Sequence, residues 1–120
     1  DPHTGPLHLR VKELLAAGLP VGLGQDDIAD AYYPYGECNM LEVAFLASHL
    51  LWMTSFQDME SLYDMVTTTA ARALGLDNHR LQVGGDADLV ILSQPDIYHA
   101  IWHHQPPRAV IKDGRVIENP

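Results

Sequence analysis

The amino-acid sequence predicts an α/β fold, and two features of its 120 residues support this prediction. A helical pattern of apolar residues is followed directly by a short apolar run, which is the order of a parallel α/β unit. Beyond residues 77–84 the helical pattern gives way to short strands and a hairpin signal. A domain division near residue 80 is therefore expected.

The first unit occupies residues 7–23. Residues 7–17 are predicted to form a helix, because apolar side chains recur at helical spacing and Gly18 stands where a glycine commonly ends a helix. Residues 19–23 are a short apolar run bounded by turn residues, which predicts a buried strand. The apolar positions of the helix are Leu7, Val11, Leu14 and Leu15.

A long apolar helix is predicted from residue 40 to about residue 53, with Asn39 as its N-cap. Its side chains are apolar on nearly all sides, so we expect the helix to be buried on several faces. A chain of 120 residues offers few neighbouring elements to cover it. We therefore expect a further part of the structure, or another copy of the chain, to cover the helix.

The remaining elements are shorter. Ser55 and Asp58 form a capping pattern before a helix predicted at residues 59–66. A compact helix at residues 70–75 follows a run of threonines and ends in glycine.

Strands are predicted in the last part of the chain. Residues 87–92 are expected to form one strand, and the proline-rich residues 93–107 are expected to be irregular. Residues 108–117 are predicted to form a hairpin around Asp113 and Gly114, because this dipeptide favours a tight two-residue turn.

Composition and charge exclude several classes of function. The formal net charge is −9, with 16 acidic and 7 basic residues, which disfavours binding to nucleic acid. The only cysteine, Cys38, cannot form an internal disulfide, so a reducing compartment such as the cytoplasm is expected. The longest apolar stretch, residues 40–53, is too short and too polar to cross a membrane, and residues 1–3 lack the features of a secretory leader.

Asp26 and Asp27 stand at the carboxyl end of the predicted strand, where the side chains of an α/β protein face the ligand. Because an unpaired carboxylate is costly to bury, this pair indicates a metal, a cation or water as its partner. The alternative is a helix cap or a solvated turn. The loop at residues 28–36 carries three tyrosines, which either stack on a planar ligand or pack the loop onto its scaffold.

Several segments resemble the metal-dependent amidohydrolases, and the acidic pair with its aromatic loop resembles the cytosine deaminase branch of that family. The resemblance covers nearly the whole chain. Its segments are Gly-Gln-Asp-Asp at residues 24–27 with the Tyr-Pro-Tyr-Gly loop and Asn-Met-Leu at residues 39–41, the helix at residues 69–76, Val-Gly-Gly-Asp-Ala-Asp-Leu-Val-Ile-Leu at residues 83–92, and the hairpin at residues 110–116.

The resemblance implies a (β/α)8 barrel, also called a TIM barrel, with a small β-sandwich built from both chain ends. This chain would supply the carboxyl-terminal units of the barrel and the carboxyl-terminal strands of the sandwich. Residues 1–80 would hold the last barrel strand with its flanking helices, and residues 81–120 would hold the sandwich strands.

The resemblance also implies roles for individual residues. Asp26 corresponds to the aspartate that ligates a divalent metal, zinc or iron, and helps to activate the bound water. Asp27 and Tyr32 correspond to residues that line the substrate pocket. The implied substrate is a pyrimidine or a related nitrogen heterocycle, which loses an amino group. Gln25 stands where a histidine is expected, which leaves the substrate open.

One carboxylate does not complete a catalytic metal site, which needs about three protein ligands. The family supplies most of its ligands as histidines on earlier barrel strands, including a His-x-His pair, and this chain has no such pair after a strand. Its histidines are His3, His8, His49, His79, His99, His103 and His104. We therefore expect the chain to be the carboxyl-terminal part of an enzyme, inactive and without tightly bound metal when alone.

The expected partner is the rest of the parent barrel or another copy of the chain. Two other functions remain open on the sequence. One is a self-associating binding or assembly module, and the other is an amidohydrolase that acts on a different amide or ring.

Overall fold

Five helices and three strands form the described part of the chain, residues 10–117, in this computed structural model. The predicted α/β class is confirmed at this level. In chain order the elements are α1 (Val11–Ala16), α2 (Met40–Leu50), α3 (Phe56–Val66), α4 (Thr68–Ala73), β1 (Leu89–Ile91), α5 (Ile97–His103), β2 (Ala109–Lys112) and β3 (Arg115–Ile117).

Helix α1 ends as the sequence predicts, whereas residues 7–9 of the predicted helix lie outside the described residues. Gly18 has a φ of 74° and its N–H donates to the Leu15 carbonyl at 2.9 Å. The Leu19 N–H donates to the Leu14 carbonyl at 3.0 Å, which completes a Schellman motif. Helix α4 ends in the same way at Gly75, whose φ is 72°.

Helix α2 begins where predicted and ends three residues earlier. The Asn39 side chain accepts a hydrogen bond from the Leu41 N–H at 3.0 Å, so the predicted N-cap is confirmed. The helix stops at Leu50 because Trp52 adopts the left-handed conformation, with a φ of 54°. A bond from the Met53 N–H to the Ser48 carbonyl, at 2.8 Å, then closes the helix end.

The capping pattern before α3 is also confirmed. The Ser55 hydroxyl accepts a hydrogen bond from the Asp58 N–H at 3.1 Å, and the Asp58 carboxylate accepts one from the Ser55 N–H at 3.1 Å. These reciprocal bonds make a capping box, which satisfies backbone donors at the start of a helix. The helix consequently starts at Phe56, three residues before the predicted first residue.

The prediction of irregular structure across residues 93–107 is wrong, since this segment contains α5. Asp96 caps the helix by accepting a hydrogen bond from the His99 N–H at 2.8 Å. Ala100 and Ile101 lie on its buried face against α2 and α3. Tertiary burial therefore stabilises a seven-residue helix that is too short to form alone.

The hydrophobic core lies between α2, α3 and α5, with one contribution from α1. Methionine and leucine side chains of α3 occupy its centre. The buried apolar residues of this core are Val11, Ala44, Ala47, Met53, Met59, Leu62, Met65 and Ile101.

The prediction of a strand at residues 19–23 is also wrong, because the segment forms neither a helix nor a strand. A strand requires a neighbouring strand for its backbone hydrogen bonds, and β1, β2 and β3 pair only with one another among the described residues. The Leu23 N–H instead donates to the Met65 carbonyl at the end of α3, at 2.9 Å. Residues 19–23 are thus attached to the helices.

The sheet has the order β1-β2-β3 and is antiparallel throughout, and the predicted hairpin is confirmed. Asp113 and Gly114 both have positive φ, 50° and 72°, as a tight turn of the type favoured in hairpins requires. Asp88 supports this turn by accepting hydrogen bonds from the Asp113 N–H at 2.8 Å and from Lys112 Nζ at 2.6 Å. These two donors, the Asp113 N–H first, hold the pKa of Asp88 below its usual value.

None of the helices described between residues 10 and 117 is long and apolar enough to span a membrane. The division of the chain near residue 80 stays a prediction.

Substitution of Ser55 by alanine is predicted to destabilise the fold by about 1 kcal/mol, because the Asp58 N–H loses its acceptor. Urea unfolding should give a lower midpoint with an unchanged slope. Ser61→Ala is the matched control, since the Ser61 hydroxyl only bonds back to the Gln57 carbonyl within the same helix, at 3.1 Å. Equal midpoints for the two variants would contradict the prediction.

Candidate functional site

Asp26 lies at the centre of a tight turn. Its φ is 62°, and across it the Asp27 N–H donates to the Gln25 carbonyl at 2.9 Å. A hydrogen bond between residues two apart with a positive φ between them defines a γ-turn of the rare, strained kind. Strain of this type is found most often at ligand-binding and catalytic positions.

The Gln25 side chain makes a second bond within the same turn. Its Nε2 donates to the Asp27 carbonyl at 3.1 Å. The Gln25 residue is half-buried, and its Oε1 is buried without a hydrogen-bond partner among the described residues. The backbone of Asp27 is therefore held by Gln25 through both its N–H and its carbonyl.

The Asp26 residue is exposed and also lines a cavity of about 430 Å³. Within residues 10–117 its carboxylate makes no hydrogen bond or ion pair. It does not cap the next helix, since Asn39 performs that function for α2. The helix-capping interpretation of this residue is thus wrong, whereas its exposure within a tight turn agrees with the solvated-turn alternative as well as with a ligand position. An unengaged carboxylate at the open side of a cavity is available to a ligand from outside.

Asp27 lines the same cavity and is half-buried. A hydrogen bond shared with Asp30 is the main cause that raises the pKa of Asp27, followed by partial burial and the negative charges of Asp30 and Asp26. The pKa of Asp30 is lowered instead, first by the Tyr33 N–H that it accepts and then by Asp27. Asp27 is therefore the more readily protonated member of this pair.

The loop at residues 28–36 is closed by backbone contacts around Asp30. Asp30 Oδ1 accepts hydrogen bonds from the N–H groups of Tyr32 at 2.8 Å and Tyr33 at 2.9 Å. Gly36 lies so close to the Ile28 carbonyl oxygen that no side chain fits at this position. Both contacts fix the loop over one side of the cavity.

Tyr32 and Tyr33 are neighbours in this loop but have different environments. Tyr32 is 91% exposed and does not line the cavity, so the structure does not bring it together with Asp26 and Asp27. Tyr33 does line the cavity, and its hydroxyl donates to Glu42 Oε1 at 2.6 Å. Sequence analysis missed Tyr33, and its only local signal was the glutamate in the first turn of the next helix.

The remaining cavity wall is apolar and comes mainly from α2. Two of its leucines stay largely open to solvent in this chain, Leu46 at 40% and Leu50 at 61% exposure. The predicted burial of α2 on several faces is therefore not reached within these residues. The apolar wall is formed by Val11, Leu23, Val43, Leu46, Ala47, Leu50 and Leu51.

A divalent cation fits the Asp26 carboxylate as one oxygen ligand, which zinc and iron both accept. Among residues 10–117, no group of three or more histidine, cysteine, aspartate or glutamate side chains is placed to hold a metal. The described residues thus offer one ligand of a catalytic set and not the whole set.

Comparison with known proteins gives consistent matches. Residues 1–118 match the sequence profile of the amidohydrolase family. The chain is 34% identical to N-isopropylammelide isopropyl amidohydrolase of Pseudomonas sp. (strain ADP), over 93% of this chain and 28% of that protein. It is 35% identical to pterin deaminase of Rhizobium rhizogenes (strain K84 / ATCC BAA-868), over 88% of this chain and 24% of that protein.

A solved structure matches as well. The 5-methylcytosine deaminase of Klebsiella pneumoniae, liganded with phosphonocytosine, superposes with a TM-score of 0.82 and 37% identity over 92% of this chain and 27% of that one. The chain therefore spans about a quarter of the length of the relatives it matches.

Glu42→Gln is predicted to lower the pKa of Tyr33 toward its ordinary value of 10.0, because the hydrogen bond to Glu42 is the main cause that raises it. Because folding raises the pKa of Tyr33, the protonated phenol stabilises the folded state at pH values below the pKa of the unfolded state. This contribution disappears as the pH rises through the pKa of the folded state. The pKa of Tyr33 is measured by ultraviolet titration of tyrosinate. The titration curve of Tyr33→Phe is subtracted to isolate the signal of Tyr33.

Glu37→Gln is the control for this measurement, since Glu37 is an exposed acidic residue of the same region without a bond to Tyr33. A Tyr33 titration that is the same in Glu42→Gln as in the unsubstituted chain would refute the assignment.

Proposed function

The chain belongs to the amidohydrolase family, and from this premise we propose that it is the carboxyl-terminal part of a metal-dependent hydrolase that deaminates a cytosine-like nitrogen heterocycle. The observation that carries the proposal is Asp26, whose unengaged carboxylate projects from a strained turn at a cavity. The resemblance to amidohydrolases of the cytosine deaminase branch is confirmed by the same matches.

The substrate class follows from what the relatives act on or bind. One relative is named for pterin, another for N-isopropylammelide, and the solved structure holds a cytosine analogue. Pterin and cytosine are planar nitrogen heterocycles that carry an amino group. The cavity beside Asp26 suits a flat ring, because it is lined by apolar side chains of α2 together with the carboxylates of Asp26 and Asp27. We assign the substrate to this class.

Asp26 is the proposed metal ligand and proton carrier. The divalent metal, zinc or iron, would supply a Lewis acid that activates water; on zinc the pKa of bound water falls to roughly 7. Asp26 would hold the metal through its carboxylate and would accept the proton of the water that attacks the ring carbon bearing the amino group. The same carboxylate would return this proton to the amino group, which would leave as ammonia.

Asp27 is proposed to orient the substrate. Its position next to Asp26 in the cavity allows a hydrogen bond to a ring N–H or amino group of the heterocycle. A substrate contact by Tyr32 would require its exposed side chain to turn toward the cavity in the complete protein. Tyr33 is the loop aromatic that lines the cavity in this chain.

The proposed architecture is a TIM barrel whose last units lie in residues 1–80, with sandwich strands in residues 81–120. Two observations support it. Leu46 and Leu50 leave an exposed apolar face on α2, as expected of a helix that another element covers. The relatives are about four times longer than the part of them that matches this chain. The remaining metal ligands are assigned to the part that precedes the match.

Asp26→Ala in the full-length protein is predicted to abolish zinc retention and to lower kcat/KM for ammonia release by at least about 100-fold, since even residues behind a metal ligand change metal affinity by 10–100-fold. Ammonia release is measured with cytosine, 5-methylcytosine and pterin. Asp77→Ala, an exposed aspartate remote in sequence, is the control. Full activity in the Asp26→Ala variant would remove Asp26 from the mechanism.

The 120-residue chain alone is predicted to release no ammonia from these rings, because one carboxylate does not hold a catalytic metal. The exposed leucines of α2 favour a second function, self-association through this face, which remains the alternative. Size-exclusion chromatography with light scattering separates the two. A dimer that returns to a monomer in Leu50→Glu would support self-association, and ammonia release by the chain alone would contradict the proposed division of the site.

An amidohydrolase that acts on another amide or ring is the third candidate. A panel containing N-alkylated triazines beside the pyrimidines distinguishes it, since the preferred ring is the one with the highest kcat/KM.

A further inference from the structure

Gln25 makes two hydrogen bonds to the same neighbour, one from its backbone and one from its side chain. Its carbonyl accepts the Asp27 N–H at 2.9 Å, and its Nε2 donates to the Asp27 carbonyl at 3.1 Å. Asp26 lies between these two residues with a φ of 62°. Both hydrogen bonds therefore span Asp26, and Asp26 itself is neither donor nor acceptor in them.

We propose that Gln25 is a positioning residue, whose side-chain amide holds the strained turn and thereby aims the Asp26 carboxylate at the metal. This inference rests on the proposed function, because it takes Asp26 to be a metal ligand. Gln25 lines the same cavity as Asp26 and Asp27, and in this assignment it is not a metal ligand. Its effect on the metal passes through the backbone of Asp26 and Asp27.

The turn needs this second bond. A residue other than glycine rarely adopts a positive φ, so Asp26 relaxes toward an ordinary conformation unless its neighbours prevent it. The backbone bond between Gln25 and Asp27 closes a very small ring with poor hydrogen-bond geometry. The side-chain bond closes a larger ring over the same residues and blocks rotation of the Asp27 peptide group.

The orientation of the Gln25 amide supports this role. Its Oε1 is buried and has no donor among the described residues, which is an uncommon and costly state for a buried oxygen. Rotating the amide by half a turn would place Oε1 against the Asp27 carbonyl, so that two acceptors would face each other. The amide therefore keeps its N–H on the turn and leaves its own oxygen without a partner.

Aiming a carboxylate matters for a metal site because ligands must lie within a few tenths of an ångström of their ideal distance. Groups that hold a ligand in place change metal affinity by about 10–100-fold when they are removed. We expect an effect of this size from the loss of the Gln25 N–H alone.

The test measures zinc affinity of the full-length protein by competition with a chelator of known affinity. Gln25→Met keeps the side-chain length and removes the donor, and Gln25→Glu keeps the shape but turns an acceptor toward the Asp27 carbonyl. Both variants should bind zinc about 10–100-fold more weakly. Gln25→His, which keeps an N–H at the ε position, should stay within about threefold of the unsubstituted protein, well below that range.

Gln94→Met is the matched control. Gln94 also has a buried Oε1 without a partner and also donates through Nε2, to Gln105 Oε1 at 2.9 Å. It lies between β1 and α5, away in sequence from the turn. The Gln94→Met variant should bind zinc with unchanged affinity. If the loss of a half-buried glutamine weakened zinc binding only by destabilising the fold, Gln25→Met and Gln94→Met would lose zinc affinity equally.

A second readout follows the turn directly. Hydrogen exchange of the Asp27 amide should accelerate in Gln25→Met and Gln25→Glu, and not in Gln25→His or Gln94→Met. Faster exchange together with weaker zinc binding supports the positioning role, whereas a merely structural role would change thermal unfolding without a selective loss of zinc.

Two results would overturn the inference, and they are distinguishable from failure of the proposed function. Unchanged zinc affinity in Gln25→Met, with zinc lost in Asp26→Ala, refutes the positioning role and leaves Asp26 as a ligand. A Gln25→His variant as impaired as Gln25→Met also refutes it, because the N–H would not be the cause. Zinc retained by Asp26→Ala overturns the proposed function itself.

Discussion

The Asp26 turn is attached to the helical core by one backbone hydrogen bond, from the Leu23 N–H to the Met65 carbonyl at 2.9 Å. Met65 is buried near the end of α3, so this bond anchors the turn to a residue of the hydrophobic core. Gly22 contributes to the same attachment, since it runs beside the Ala70 backbone of α4, and an added Cβ would lie 3.6 Å from Ala70 Cα. The position of the carboxylates thus depends on helix packing.

The three aspartates that follow this attachment have different environments, and we propose a different role for each. Asp26 is exposed and unengaged among the described residues, which suits a ligand for a cation. Asp27 is half-buried and shares a hydrogen bond with Asp30, which raises the pKa of Asp27. Asp30 accepts two backbone N–H groups and organises the tyrosine loop. Position, more than residue type, separates their roles.

Helix α2 lines the cavity beside this acidic cluster and contacts the tyrosine loop. Its buried face, with Ala44 and Ala47, packs into the core, while Leu46 and Leu50 face the open cavity. Glu42 in its first turn accepts the Tyr33 hydroxyl and so ties the loop to the helix. One helix therefore serves as core element, cavity wall and loop anchor, which accounts for its apolar character on nearly all sides.

The sequence alone determined the local features of this protein. The caps at Asn39 and Ser55, the helix ends at Gly18 and Gly75, and the Asp113-Gly114 hairpin follow from interactions between residues a few positions apart. The acidic pair was also recognisable, because two adjacent carboxylates after an apolar run are poorly explained by packing.

Only the tertiary structure decided the features that depend on distant residues. The segment at residues 19–23 became an extended connection because the chain places α3, and not a strand, beside it. Helix α5 formed because α2 and α3 bury its apolar face, and Tyr33 rather than Tyr32 met the cavity because Glu42 holds its hydroxyl. Hydrogen-bond partners and buried surface supplied from far along the chain leave little trace in a local pattern of residues.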